Sequence, residues 1–450
     1  MQISRTVLIV GIVMTCLLTA RRAISAQSDR NADLSGDWQA TLKGTVPGRD
    51  FRLVLRVART DAHAAWTATL FSIDQGPTGR EGTAASMAQR GLEVQFAAPD
   101  FDATYSGAVG ENGVRIHGTW TGAGAIPLDW ERATPATGWS FKIPQHQSRR
   151  VGVEKATSLE VLDYGGTGRP MVFLAGLGAT AHVFDEFAMR FTASHHVYGV
   201  TRRGFGNSSA PVPTDANYSA DRLGADVLAV MDSLKIDRAV LVGHSIAGEE
   251  LSSIGSRHPE RVAGLVYLDA GFPYAFYDAS RGDMVVDAIH IKAALEELIL
   301  GKFGGAHEDP DTLVQRLLEV ELPRLTRDLR RYKEELVATY DPKDVQRPDR
   351  LAPIARAILE GQRRHTTIPV PILAIYASPS NWGNAYMDDS IARQRYTAWD
   401  STRKATISDS FERGLPTARV VRLPHADHFV IASHEAEVLR EMNSFLAGLP

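Results

Sequence analysis

The chain has 450 residues, 44% hydrophobic and 23% charged, which is enough for two or three domains with water-excluding cores and excludes a disordered or fibrous protein. Basic side chains number 49 and acidic ones 53, so the net charge of −4 supplies no positive field to recruit nucleic acid or anionic lipid. The single cysteine, Cys16, excludes an intramolecular disulfide and a cysteine-based metal cluster.

Arg5, the apolar run from Thr6 to Ala20 and the small residues Ile24-Ser25-Ala26 read as the three regions of a signal peptide over residues 1–26. At ~1.5 Å per residue the run spans roughly 22 Å, short of the ~30 Å hydrocarbon core. The expectation is export to the periplasm or the medium. Arg21 and Arg22 behind the run keep an uncleaved membrane anchor open as an alternative.

From residue 34 to 133, short runs alternate in polarity between glycine and proline breaks. Phe51, Leu53, Leu55 and Val57 share one face, as do Leu92, Val94 and Phe96, and Ile126, Leu128 and Trp130. This pattern predicts an antiparallel all-β domain, a small barrel or sandwich, with Trp38, Trp66 and Trp120 in its core. Gly36-Asp37-Trp38 resembles the Gly-x-Trp opening of lipocalins, a hint of shape alone. Its role is read as packing or spacing, with ligand or glycan binding as the alternative.

Residues 134–149, with Pro135 and Pro144 and little periodicity, read as a linker. Beyond it, strand-like segments at Ser158–Asp163, Met171–Leu174, His196–Val200, Ala239–Val242, Leu265–Leu268, Ile372–Tyr376 and Ala418–Leu423 alternate with helical patterns. That rhythm predicts an α/β domain over 150–450 with a mostly parallel sheet. The strand pattern stops between residues 271 and 367, where helical spacing predicts an insertion over one end of the sheet, a helical cap.

Ala239 to Gly248 joins an apolar strand to a helix through Gly243-His244-Ser245-Ile246-Ala247-Gly248. Small residues flanking Ser245 permit a sharp turn that lifts its hydroxyl at a helix N-terminus, the setting of an activated nucleophile. Arg203-Gly204-Phe205-Gly206-Asn207-Ser208 and Ala175-Gly176-Leu177-Gly178 each follow a predicted strand. Leu423-Pro424-His425-Ala426-Asp427-His428-Phe429 precedes the last amphipathic helix.

In these motifs and their order, residues 150–450 resemble the α/β-hydrolase fold superfamily, with Ala247 in place of the second glycine of its Gly-x-Ser-x-Gly elbow and Ala175 in place of a common histidine. The resemblance implies Ser245 as nucleophile, His428 as base and the backbone N–H groups of Leu177 and Ile246 as oxyanion hole, with no metal and no organic cofactor. His425 is the competing base. The segment after Tyr376, a common position for the orienting acid, holds no carboxylate over Ala377–Asn381. Asp269, at the end of the preceding strand, is the leading candidate, and Asp388 or Asp389 the alternative. Serine at the elbow departs from the aspartate that dehalogenases and epoxide hydrolases of this superfamily use.

The implied function is an exported serine hydrolase of a small-molecule ester. An aminopeptidase or amidase with the same triad and a catalytically inactive binding scaffold are the alternatives. Phe272, Tyr274, Phe276 and Tyr277 are candidates for an acyl pocket. Glu296, Glu297, Glu334 and Glu335 are candidates to meet a substrate amine, against the plainer reading of a solvated helix face. Gly176-Leu177-Gly178-Ala179-Thr180-Ala181 with Arg202 and Arg203 also matches a dinucleotide-binding pattern. That reading leaves Ser245 and His428 without a role.

Overall fold

A computed structural model describes residues 32–450 apart from 44–49, 60, 62–64, 73–82, 99–102, 123–124, 140–145, 303–307, 340–351 and 382–389. The signal-peptide reading and the Asp388/Asp389 alternative lie outside the described residues. The chain divides into two compact units, residues 1–43 with 50–143, and residues 44–49 with 144–450.

The first unit is a closed eight-stranded antiparallel barrel of β1 (Gly36–Lys43), β2 (Asp50–Ala58), β3 (Thr67–Ser72), β4 (Thr83–Arg90), β5 (Glu93–Ala98), β6 (Ala103–Val109), β7 (Arg115–Thr121) and β8 (Ala125–Arg132). Each strand pairs with the next, and β8 returns to β1 with Trp38 opposite Arg132. Closure decides for a barrel over a sandwich and leaves no strand edge to cover. The period-2 pattern is realised as an inward face: Leu53, Leu55 and Val57 are buried, and so are Val94 and Phe96. The interior is filled by side chains. Phe96 stacks on Tyr105 at 5.1 Å between ring centroids and meets Trp130 edge-on at 5.9 Å. Gly118 is required there, since a Cβ on it would lie 2.5 Å from the Tyr105 hydroxyl. Trp38, Trp120 and Trp130 are buried, whereas Trp66 is only half-buried, because its indole N–H is drawn to Gln89 Oε1 at 2.8 Å. Leu92 belongs to the turn before β5 and is exposed.

The second unit is built on an eight-stranded sheet of β9 (Gln147–Glu154), β10 (Thr157–Gly165), β11 (Arg169–Leu174), β12 (His195–Val200), β13 (Ala239–His244), β14 (Val262–Leu268), β15 (Ile372–Ala377) and β16 (Ala418–Leu423). Their spatial order is β9-β10-β12-β11-β13-β14-β15-β16. β10 pairs antiparallel with both neighbours, and every pairing from β12 to β16 is parallel. β13, β14 and β15 are buried along their whole length, as expected for strands covered on both faces. The linker reading of 134–149 overlaps β9. Only Val151 of that strand is fully buried, so the polar edge carries no apolar alternation to betray it.

The helices that bear on the site are α1 (Ala220–Ser233), α2 (Gly248–Arg257), α3 (Met284–Gly301), α4 (Pro310–Arg316), α5 (Leu322–Thr339), α6 (Pro353–Glu360), α7 (Ser390–Gly414) and α8 (Glu435–Ala447). Helices α3 to α6 all fall between β14 and β15. The Asp283 and Asp309 side chains accept backbone N–H bonds at the starts of α3 and α4, which terminates the preceding loops sharply. Among the described residues no helix is long and apolar enough to cross a membrane.

Trp38→Ala removes the largest side chain of the barrel core and is expected to cost about 3–5 kcal/mol. Hydrogen exchange under increasing urea should show β1 to β8 losing protection earlier while β9 to β16 keep theirs.

Candidate active site

Ser245 stands between β13 and α2 with φ +55°, in the left-handed region that costs an L-residue about 1–3 kcal/mol. The turn persists because its neighbours leave no other course. A Cβ on Gly243 would meet Leu251 at 2.9 Å, and one on Gly248 would lie 2.1 Å from the Ala270 carbonyl oxygen. The strict glycine on the helix side is therefore Gly248, which explains why Ala247 is tolerated. The turn is also tied to the far loop, because His244 Nε2–H donates to the His428 carbonyl at 3.0 Å. The two imidazole rings lie 4.6 Å apart, and Phe429 covers His244 at 4.1 Å.

His428 lies after β16, and its Nδ1 is 2.7 Å from Asp269 Oδ2. Asp269 follows β14 with φ +44° and no exposed surface. Burial alone would raise its pKa, but the Lys404 ammonium and His428 hold it down at about 2. Lys404 Nζ reaches the two carboxylate oxygens at 2.8 and 3.1 Å, and the Ala377 N–H donates to Oδ1 at 3.1 Å. The end of β15 thus serves the acid with a backbone donor instead of supplying one. His425 is exposed and does not take this place; its backbone N–H donates to the Pro379 carbonyl.

Ala175-Gly176-Leu177-Gly178 follows β11 beside the elbow, where a Cβ on Gly176 would come 3.2 Å from Ser245 Cβ. Arg202 replaces the missing histidine as the anchor of this loop. It donates to the carbonyls of Ala175 (2.9 Å) and Gly176 (3.3 Å), and Glu250 of α2 pairs with it at 3.1 Å, all out of contact with water. Arg203 is likewise buried, on Asp226 at 2.6 Å. Both arginines are consumed by carboxylates, so the dinucleotide reading loses its phosphate partners. Leu177 and Ile246 belong to one apolar cluster with Tyr218, Phe205, Tyr274 and the α6 residues Ile354, Ala357 and Ile358.

The aromatic candidates divide. Tyr274 is half-buried against Phe272 at 5.7 Å between ring centroids, and desolvation drives its pKa well above the usual value. Phe276 instead packs on Phe411, and Tyr277 donates to Asp287 at 2.6 Å. Of the acids considered for a substrate amine, Glu296 and Glu334 are exposed, and Glu297 accepts the Glu308 N–H. A different acid lies near Ser245. Glu249, in the first turn of α2, is fully buried with no hydrogen-bond partner among the described residues, and burial together with Glu250 pushes its pKa well up.

The α/β hydrolase fold family profile matches residues 169–290, which include β11, β12, β13, β14 and the elbow. The second unit belongs to the α/β-hydrolase fold superfamily. Its curated relatives include a Mycobacterium phage D29 protein named as a non-heme haloperoxidase, 30% identical over 32% of this chain and 51% of that protein. Epoxide hydrolase A of Mycobacterium tuberculosis is 33% identical over 24% of this chain and 34% of the enzyme. A 2-(acetamidomethylene)succinate hydrolase of Mesorhizobium japonicum is 29% identical over 27% and 42%. The chain thus spans about half or less of the length of these relatives. Among solved structures, E-2-(acetamidomethylene)succinate hydrolase aligns with TM-score 0.41 and 19% identity over 68% of this chain and 100% of that one.

Lys404→Met leaves the Asp269 carboxylate buried with its charge half-compensated and is expected to cost about 3–5 kcal/mol at pH 7 by urea unfolding. Because the Asp269 pKa is depressed in the folded state, its contribution is complete above about pH 4 and lost as pH falls toward 2. The gap between parent and Lys404→Met should therefore narrow across that window.

Proposed function

We propose that this chain is an exported serine hydrolase that cleaves a small carboxylic ester through an acyl-enzyme. Ser245 Oγ attacks the acyl carbonyl and His428 takes its proton. The tetrahedral oxyanion is received by the N–H groups of Leu177 and Ile246, and the alcohol leaves with the proton from His428. Water then attacks the acyl group by the same relay, and Ser245 regains its proton. Asp269 holds the His428 ring in the tautomer that leaves Nε2 free to accept.

One observation carries this reading: a buried ionised carboxylate lies 2.7 Å from the ring of His428, whose carbonyl is bonded to the residue preceding the strained Ser245. Helices α3 to α6 are read as the cap, reaching the acyl side through Ile354, Ala357 and Ile358. The exposure of Glu296 and Glu334 supports an ester over an aminoacyl substrate. Serine at position 245 separates the proposed chemistry from that named for the dehalogenase and epoxide hydrolase relatives. Export rests on the reading of residues 1–26.

A fluorophosphonate should label the folded protein at Ser245, mapped by mass spectrometry, with Ser245→Ala unlabelled. Among substrates, aryl esters should turn over faster than anilides of the same acyl group. Asp269→Asn should lower kcat for the preferred ester by about 10⁴-fold with the fold intact by circular dichroism. A folded protein that takes no adduct would overturn the proposal in favour of a binding scaffold. Sequencing of exported protein should begin at Gln27, and an intact Met1 would refute cleavage.

A further inference from the structure

A second cluster of chemistry-bearing side chains lies in the α/β unit, apart from Ser245, His428 and Asp269. It gathers His146, just before β9, Glu160 and Tyr164 of β10, and His182 and Asp185, which follow the Gly176–Gly178 loop. The side chains of His146, His182, Asp185 and Glu160 are each 5% exposed or less. His146 Nε2 lies 3.6 Å from Asp185 Oδ1, and His182 Nδ1 lies 3.3 Å from Asp185 Oδ2, so one carboxylate stands between two imidazoles. One donor atom from each of these three residues falls within 4.8 Å of the others.

We propose that His146, His182 and Asp185 form a divalent cation site whose preferred occupant is zinc. Two imidazole nitrogens and a carboxylate oxygen are a donor set that zinc accepts at about 2.0–2.2 Å. Donors at those distances on a tetrahedron are separated by about 3.3–3.5 Å. His146 Nε2 stands 3.6 Å from Asp185 Oδ1 and His182 Nδ1 stands 3.3 Å from Oδ2, each close to that edge length for the carboxylate oxygen it faces. An ordinary ion pair would close to about 2.8 Å, as His428 and Asp269 do.

The surroundings orient each donor as a metal site requires. His182 presents its other nitrogen, Nε2, to Glu160 Oε1 at 3.7 Å, the arrangement of an outer carboxylate that fixes a ligating imidazole. Glu160 is held in turn by the Thr201 hydroxyl and the Asn207 amide, each at 2.7 Å. Tyr164 Oη lies 2.8 Å from Asp185 Oδ1 and the ring of Tyr164 meets His146 edge-on at 5.4 Å. A cation bound here completes its shell with solvent. It pins the start of the unit, through His146, to the segment that leaves the oxyanion loop. The site's role is structural, and no step of the proposed hydrolysis passes through it.

The test uses the full chain, produced with zinc in the medium and dialysed against metal-free buffer, and reads metal content by mass spectrometry. About one zinc per chain is expected. Stripping with dipicolinate should lower the thermal midpoint, and one equivalent of zinc chloride should restore it. Cobalt added to the stripped protein should give the intense visible bands of a tetrahedral ion. Asp185→Asn should lose the zinc; His146→Gln, a change at the margin of the unit, should lose it while retaining the fold and fluorophosphonate labelling. Ser245→Ala and His428→Ala should retain it. Less than a tenth of a zinc per chain with no thermal response to added zinc would overturn the proposal. So would zinc that survives in folded His146→Gln, or zinc that disappears with His428→Ala.

Discussion

A carboxylate sealed from water, at Asp269, governs the candidate site of the α/β unit. An isolated ionised group in that position would cost several kcal/mol, and the surrounding structure exists in a form that offsets this cost. Lys404 comes from α7, His428 from the loop after β16 and the Ala377 N–H from the end of β15. Three segments far apart in the chain therefore converge on one charge. Their convergence places the imidazole beside His244, the last residue of β13. The acid acts through this positioning as much as through its field.

The other side of the site is organised by a second buried charge pair. Arg202 and Glu250 lie at the ends of a link between the loop after β12 and the first turn of α2, and the guanidinium spends its remaining donors on the carbonyls of Ala175 and Gly176. Holding those carbonyls fixes the course of the loop that passes beside the elbow. A planar five-donor fork suits this task, since it satisfies a carboxylate and two carbonyls at once. No partner for the loop was legible in sequence once Ala175 was seen in place of histidine, because the anchor comes from the loop after a different strand, β12.

What could be read before the structure follows a physical rule. β13, β14 and β15 announce themselves because buried parallel strands are apolar along their length, and the elbow announces itself because few sequences fit so tight a turn. Ser245 was a candidate from the elbow, and His428 and Asp269 were candidates from the resemblance; the structure brings the last two within 2.7 Å. β9 was hidden because it is a polar edge, and α7 because its buried face is built of Asp400, Lys404, Ile407, Ser408 and Phe411 rather than of an apolar stripe. Lys404 went unseen for that reason. Glu249 and the His146, His182 and Asp185 group were missed because burial of a polar residue leaves no trace in composition or period. The phenyl and phenol rings of Phe276 and Tyr277 looked equivalent to those of Phe272 and Tyr274 in sequence; only tertiary packing separates them.

The two units also solve differently the hazard of sharing one chain with sixteen strands between them. The barrel closes on itself and offers no backbone for a stranger to pair with. The open sheet has two rims, β9 and β16, and each carries cations: Arg149 and Arg150 on one, Arg419 and Arg422 on the other. Arg149 is paired with Asp163, Arg419 with Glu441 and Arg422 with Asp409 and Glu412, and charged side chains on an open rim oppose edge-to-edge pairing. During folding, when strands of both units are exposed together, charged rims of this kind favour pairing within a molecule over pairing between molecules.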